Sequence, residues 1–83
     1  MNGHVRAISA DREILAIETE LHGYTVVRLQ TAADVQVGDE LAWHSELATG
    51  EQVYDNLSTR SPLTVSVVGH LLHRASAQQL LRP

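Results

Sequence analysis

The apolar residues of this chain alternate with polar ones over short runs, which is the period of a β-strand with two different faces. In residues 14–20, Leu15 and Ile17 lie on one face of such a strand. Glu18 and Glu20 lie on the opposite face, which we expect to meet water. The segment therefore predicts a strand that is buried on one side only.

The same alternation predicts five more short strands, bounded by turn residues such as Asp11-Arg12, His22-Gly23 and Gly38-Asp39. These strands cover residues 3–8, 24–29, 40–44, 52–57 and 63–68. Near the end of the chain, Ser76-Ala77-Gln78-Gln79 matches a capping box, in which side chains cap the first amides of a helix. This motif predicts a short C-terminal helix that includes residues 76–81, and residues 70–75 could belong either to the last strand or to this helix.

Five or six short strands at this spacing are typical of a small closed β-barrel, because closure removes the strand edges that promote aggregation. We expect a mostly β fold, either OB-like or, as the alternative, SH3-like, with the short helix at its C-terminal end. No repeat, low-complexity tract or Pro-rich linker divides the chain. Residues 1–83 are therefore expected to form one domain.

The chain has 83 residues and no cysteine, so disulfides, thiolate metal ligands and a thiol nucleophile are excluded. Its first residues lack the charged and apolar regions of a signal peptide. No apolar run approaches the length that spans a bilayer. We therefore expect a cytoplasmic location and no membrane partner.

The formal net charge is −4, and all 6 of the Lys and Arg residues are arginines. They are scattered along the sequence. Nucleic-acid-binding modules usually carry a clustered basic face that neutralises phosphates. Because the sequence has no such cluster, its charge favours a protein partner over a nucleic acid.

Four motifs resemble the first four strands of OB-type barrels: Gly3-x-Val5, Ala16-Ile17-Glu18-Thr19-Glu20, Gly23-Tyr24-Thr25-Val26 and Val37-Gly38-Asp39-Glu40-Leu41. In this strand rhythm the first half of the chain is similar to translation initiation factor one, to cold-shock-like domains and to the small hydrogenase-assembly chaperones. It is also similar to uncharacterised short bacterial proteins. The resemblance implies an OB-like fold and a bacterial source, and it implies no function, because such motifs occur wherever a strand restarts after a tight turn.

Two departures limit what this resemblance implies. The hydrogenase-assembly chaperones carry a cysteine next to the initiator methionine, whereas this chain has Asn2, so their metal-delivery role is not carried over. The RNA-binding barrels resemble one another in basic loops and exposed aromatic side chains, and only Tyr24 is similar here.

Aromatic side chains are the usual platforms on which OB barrels stack the bases of single strands. The chain has three such side chains, Tyr24, Trp43 and Tyr54. Alternation with Leu41 predicts that Trp43 lies in the core, whereas Tyr24 and Tyr54 are predicted at the surface.

Two arginines accompany one of these tyrosines. Arg6 and Arg28 lie beside Tyr24 on adjacent predicted strands, so these three residues form the candidate nucleic-acid-binding site. Glu18 and Glu20 are predicted near the same face, where their carboxylates oppose phosphate. Weak single-stranded nucleic-acid binding is therefore the alternative function.

Two pairs of residues resemble parts of catalytic or metal sites. Glu18 and Glu20 share a strand face, but period-two alternation alone explains that, and no third polar residue accompanies them. His70 and His73 would converge on a helix and diverge on a strand, and a metal site needs at least three ligands. No nucleophile-elbow motif is present. We therefore expect no enzymatic activity, no catalytic residues, and no metal or other cofactor.

Apolar side chains near the C-terminus form the candidate protein-interaction site, which consists of Leu71, Leu72, Leu80 and Leu81. The last two would either pack across an open end of the barrel or present an apolar knob to another chain. Dimerisation by strand-edge pairing or by helix docking would bury further surface in so short a chain. The sequence therefore predicts a non-enzymatic binding module whose leading function is protein interaction or self-association.

Overall fold

A computed structural model describes residues 1–19, 23–31, 33–44 and 50–81, with the exception of the side chain of Leu71. Within these residues the backbone forms six strands and one helix. They are β1 (Asn2–Ile8), β2 (Ile14–Thr19), β3 (Tyr24–Leu29), β4 (Glu40–Ala42), β5 (Gly50–Asn56), β6 (Ser61–Leu72) and α1 (Arg74–Leu81).

The six strands close into a barrel in the order β1-β2-β3-β6-β5-β4, and every neighbouring pair is antiparallel. β6 is the longest strand and joins the two halves, because its first part pairs with β5 and its last part pairs with β3. β4 has only 3 residues and closes the barrel between β1 and β5. The expected mostly β barrel with a C-terminal helix is confirmed, and it is consistent with an OB-like fold.

One cluster of inward-facing side chains fills the barrel. The inward face predicted for β2 is confirmed, since Leu15 and Ile17 are buried. Its opposite face does not meet water throughout, because Ala16 is buried beneath α1. Trp43 is also buried, as predicted. Complete burial of a Val, Leu or Ile side chain contributes about 1.5–3 kcal/mol. Because most of the cluster is aliphatic, these residues supply most of the driving force for folding. The buried members of the cluster are Val5, Leu15, Ile17, Val27, Val35, Leu41, Trp43, Tyr54, Leu63 and Val65.

β1 departs from strict alternation at Arg6. Val5 and Ala7 pair with consecutive residues of β2, so Arg6 between them is an extra residue, which is the definition of a β-bulge. Beyond the bulge the two faces exchange: Ile8 packs against the barrel core, and Ala7 lies on the outer side. The bulge leaves the Arg6 side chain exposed on the outer face.

The helix α1 lies on the side of the barrel, against the outer faces of β2 and β3, and not across an open end. Its Ala77 is buried against Ala16 and Val26. Small side chains at these three positions let the helix approach the sheet closely. Within the described residues, no helix is both long enough and apolar enough to cross a membrane.

The helix begins at Arg74, two residues earlier than the capping box predicts. Ser76 therefore lies inside α1, and its predicted role as the capping residue was wrong. The first intrahelical bond runs from the amide of Ala77 to the carbonyl of His73 at 3.0 Å. Docking of the apolar helix face on the sheet outweighs the capping preference of a single serine.

β6 extends beyond the predicted residues 63–68 and includes residues 70–72, which the sequence left open between the strand and the helix. Gly69, which ended the predicted strand, pairs with Val26 inside the strand, and the register shifts around it. Glycine in a strand often marks such an irregularity. The predicted His22-Gly23 turn falls mainly on residues 20–22, which lie outside the described residues.

Asn56 is a buried polar residue that fixes the turn between β5 and β6. Its Oδ1 accepts hydrogen bonds from the amides of Ser58 at 3.0 Å and Thr59 at 3.2 Å. Its Nδ2 donates to Oδ2 of Asp39 at 2.9 Å, which ties this turn to the start of β4. The side chain is 1% exposed, so water cannot replace these partners without opening the turn.

Substitution of Asn56 with alanine is expected to lower the free energy of unfolding by about 2–3 kcal/mol, because it leaves two turn amides without their acceptor. Urea unfolding followed by the fluorescence of Trp43 measures this change. Asn2→Ala is the matched control, since Asn2 is exposed and makes one 3.3 Å bond to Glu40. We expect its effect to stay within about 0.5 kcal/mol. Equal losses for the two variants would contradict the role assigned to Asn56.

Candidate binding sites

The structure separates the residues of the candidate nucleic-acid-binding site into two groups. Nε of Arg6 donates to Oε1 of Glu18 at 2.9 Å. Tyr24 pairs with Glu18 across the β2–β3 ladder, so this carboxylate neighbours both Arg6 and Tyr24. Arg28 lies four residues further along β3, about 13 Å away, where its Nη1 donates to Oε2 of Glu13 at 2.9 Å. Arg6 and Tyr24 are therefore brought together, and Arg28 is not.

Both arginines of that predicted site face a carboxylate at the surface. Exposed ion pairs of this kind add at most about 1 kcal/mol to stability. They do, however, cancel much of the positive charge that would attract a phosphate backbone. Glu20, the second carboxylate predicted near this face, lies outside the described residues.

A small cavity, here called the helix–sheet pocket, lies between α1 and the outer face of the sheet. Its volume is about 90 Å³. Four polar side chains surround it: Arg6 and Tyr24 from the strands, and Arg74 and Gln78 from the helix. The remaining wall is apolar and consists of Ala7, Ala16, Ala77 and Leu81.

The contribution of the helix to this pocket was not predicted. Arg74 and Gln78 are four residues apart, which places them on one face of a helix. The sequence nevertheless does not indicate which strands that face meets, because the docking position of α1 depends on long-range packing. The sequence shows only the Arg-x-x-x-Gln spacing of Arg74 and Gln78, which is too common to identify a binding site.

A second surface, here called the acidic face, covers the outer side of β5. It consists of Glu51, Val53 and Asp55, which alternate along the strand and are all exposed. Thr64 and Ser66 of β6 lie opposite Val53 and Glu51. The side chain of Val53 is 59% exposed. Neither carboxylate makes an ion pair with the described part of the chain.

The four leucines of the candidate protein-interaction site have different environments. Leu72 and Leu81 are half-buried and pack against the cluster beneath α1. Leu80 is 37% exposed. The side chain of Leu71 lies outside the described part of the structure. Leu72 and Leu81 therefore help to attach the helix to the barrel, and the interaction role of the four residues stays a prediction.

Tyr54 was predicted at the surface, and this prediction was wrong. It is 1% exposed because it pairs with Leu63 on the inward face of the β5–β6 ladder. Its ring stacks on Trp43 with a centroid distance of 4.5 Å and an interplanar angle of 6°. Among the described residues, neither the Tyr54 hydroxyl nor the Trp43 Nε1 has a hydrogen-bond partner. Burial raises the pKa of Tyr54 to about 12.

Within the described residues, one carboxylate has a shifted pKa, and it serves the fold. The Ser9 hydroxyl donates a hydrogen bond to Oδ1 of Asp11, and the amide of Glu13 donates another at 3.0 Å. These bonds hold the pKa of Asp11 below its usual value. Oγ of Ser9 in turn accepts a hydrogen bond from the amide of Ile14 at 3.0 Å. Asp11 therefore stabilises the turn between β1 and β2.

His70 and His73, which were considered as metal ligands from the sequence, lie at and just after the C-terminal end of β6. His70 is on the strand, with Nδ1 at 3.1 Å from Oγ1 of Thr25. His73 lies between β6 and α1. No group of three or more metal-binding side chains occurs within the described ranges.

No protein-family model, curated protein or solved structure matches this chain. The similarity in strand rhythm to translation initiation factor one, cold-shock-like domains and the hydrogenase-assembly chaperones therefore stays a prediction from the sequence, and the structure shows a small closed barrel that is consistent with an OB-like fold. A function has to be inferred from the chemistry of the surfaces.

Proposed function

We propose that this chain is a protein-interaction module whose acidic face binds a basic, extended segment of a partner protein. The observation that carries the proposal is the order of side chains along β5. The exposed Val53 lies between Glu51 and Asp55, two carboxylates without an ion pair in the described residues. This arrangement is complementary to a segment in which an apolar side chain lies between two cationic ones.

The distribution of charge over the rest of the barrel supports this choice of surface. Glu18 and Glu13 on β2 and its preceding turn are each paired with an arginine. Arg60, in the turn after β5, lines the same surface depression as Asp55 without reaching ion-pair distance. The acidic face thus keeps negative charge that the fold does not neutralise, in a chain whose net charge is −4.

The same charges argue against the other two predicted partners. Self-association through this face would place like carboxylates against each other, which is unfavourable. A nucleic acid would be repelled here, and on the opposite side Arg6 and Arg28 are already paired. The acidic face therefore favours a basic protein segment over a second copy of the chain or a nucleic acid.

Fluorescence anisotropy with a labelled peptide of alternating lysine and valine tests the proposal at low salt. Asp55→Asn and Glu51→Gln are each expected to weaken binding about two- to fivefold, because each removes one exposed charge contact. Asp34→Asn is the matched control, since it removes the same charge from an exposed site outside the acidic face. A peptide of alternating lysine and serine is expected to bind several-fold more weakly, because it lacks the apolar contact with Val53.

Three results would reject the proposal: no saturable binding of the lysine–valine peptide, equal binding of the lysine–serine peptide, or equal weakening by Asp34→Asn. A labelled single-stranded oligonucleotide titrated under the same conditions tests the alternative function. Saturable binding of the oligonucleotide that is weakened by Tyr24→Ala, with no binding of the peptide, would assign nucleic-acid binding in its place.

A further inference from the structure

The helix–sheet pocket contains hydrogen-bond donors that the fold does not use. The side chains of Arg74 and Gln78 make no hydrogen bond or ion pair within the described residues, and neither does the hydroxyl of Tyr24. The bond from Arg6 to Glu18 uses Nε, which leaves the two Nη groups of its guanidinium. Four side chains on three different elements, of which Arg6, Arg74 and Gln78 are exposed, therefore line one cavity with donors that the fold does not use.

The charge of the pocket favours an anion. Arg6 and Arg74 contribute two positive charges, and the carboxylate of Glu18 beside Arg6 contributes one negative charge. The balance is one positive charge in a chain that is otherwise acidic. Arg74 is also the first residue of α1, where a cation interacts unfavourably with the helix dipole, and a bound anion would offset that interaction.

The size and the wall of the pocket restrict the anion further. A volume of about 90 Å³ corresponds to roughly three water molecules at about 30 Å³ each, far below the several hundred Å³ of a site for a nucleotide-sized ligand. Half of the lining side chains are apolar. Inorganic phosphate would leave that apolar wall without a partner, whereas a carboxylate on a short alkyl chain satisfies both parts. Guanidinium groups also match the planar geometry of a carboxylate.

We propose that the helix–sheet pocket binds a small aliphatic monocarboxylate. Arg6 and Arg74 hold the carboxylate, Gln78 and Tyr24 complete its hydrogen bonds, and the alkyl group contacts the half-buried Ala7 and Leu81. The site is separate from the acidic face, so it stands or falls independently of the proposed function.

A titration of the ¹⁵N-labelled chain with propionate, followed by two-dimensional NMR at constant ionic strength, tests the site. We expect saturable shifts of the α1 and β3 amides with a dissociation constant in the millimolar range. Propionamide, which has the same shape without the charge, is expected to cause no saturable shifts. Phosphate is expected to bind at least fivefold more weakly than propionate.

Two variants on different elements identify the residues involved. Arg74→Gln on the helix and Arg6→Gln on β1 are each expected to weaken propionate binding at least fivefold, and Arg60→Gln, in the distant β5–β6 turn, is expected to leave it unchanged. The spectrum of each unliganded variant shows whether α1 remains docked. The absence of saturable shifts in the unsubstituted chain, equal binding of phosphate, or equal weakening by Arg60→Gln would overturn the proposal.

Discussion

Replacing Gly3 with alanine is expected to lower the free energy of unfolding by about 2–3 kcal/mol, as overpacking of a well-packed core does. A Cβ atom at this position would lie 2.7 Å from the carbonyl oxygen of Glu18 and 2.7 Å from Cγ2 of Ile17. The first is backbone of β2, and the second belongs to a completely buried side chain, so neither yields easily. Gly3 also pairs with Leu41 of β4, so the clash falls where the barrel closes.

Gly69→Ala is the matched control for this substitution, because it makes the same change in another strand. The nearest atom to a Cβ at that position is Cδ1 of Leu72 at 3.1 Å, which is the end of a half-buried side chain and not backbone. We expect the free energy of unfolding to change by no more than about 0.5 kcal/mol. Urea unfolding followed by Trp43 fluorescence measures both variants, and equal stabilities would contradict the close contact described at Gly3.

The second large effect is expected at alkaline pH. Burial raises the pKa of Tyr54 to about 12, whereas a tyrosine in the unfolded chain ionises near pH 10. The unfolded state therefore loses this proton first, so the stabilisation is fully present below about pH 10 and is lost as the pH rises towards 12. One pH unit corresponds to about 1.4 kcal/mol, so the loss attributable to Tyr54 reaches about 2 kcal/mol at pH 12.

The Tyr54→Phe variant isolates this contribution. It keeps the stacked ring but removes the ionisable hydroxyl, so stability is expected to fall much less between pH 10 and 12. Near pH 7 the variant is expected to be as stable as the unsubstituted chain or up to about 1 kcal/mol more stable, because the buried hydroxyl has no partner among the described residues.

Urea unfolding at a series of pH values, followed by circular dichroism, provides the measurement. Tyr24→Phe is the control, since it removes a hydroxyl from a half-exposed residue on the outer face. An alkaline loss in Tyr54→Phe as large as in the unsubstituted chain would show that Tyr54 is not the residue responsible.

The barrel itself was predictable because the relevant information is local. Period-two alternation identified β2, a run of β-branched residues identified β3, and the Gly38-Asp39 turn located the start of β4. What alternation does not encode is a change of register. The extra residue Arg6 in β1 and the shifts around Gly69 in β6 satisfy the closure of the barrel, which is a property of all six strands together.

The candidate sites were less accessible from the sequence for the same reason. Tyr54 was misplaced because the strand that contains it begins at Gly50 and carries an apolar residue, Val53, on its outer face. An exposed valine beside a buried tyrosine reverses what hydrophobicity alone suggests. The helix–sheet pocket depends on where α1 docks, so Arg74 meets Arg6 only after the chain has folded.

The short strand β4 has a consequence for how the chain folds. It joins residues 40–42 to residues 2–4 on one side and to residues 55–56 on the other. The pairing of β1 with β4 and the pairing of β3 with β6 both connect residues that are far apart in the sequence. The loops that these contacts close cost entropy before any burial repays it. A topology with such a high contact order is expected to fold in milliseconds to seconds and not in microseconds. We therefore expect the pairing of β4, which closes the barrel, to limit the rate of folding.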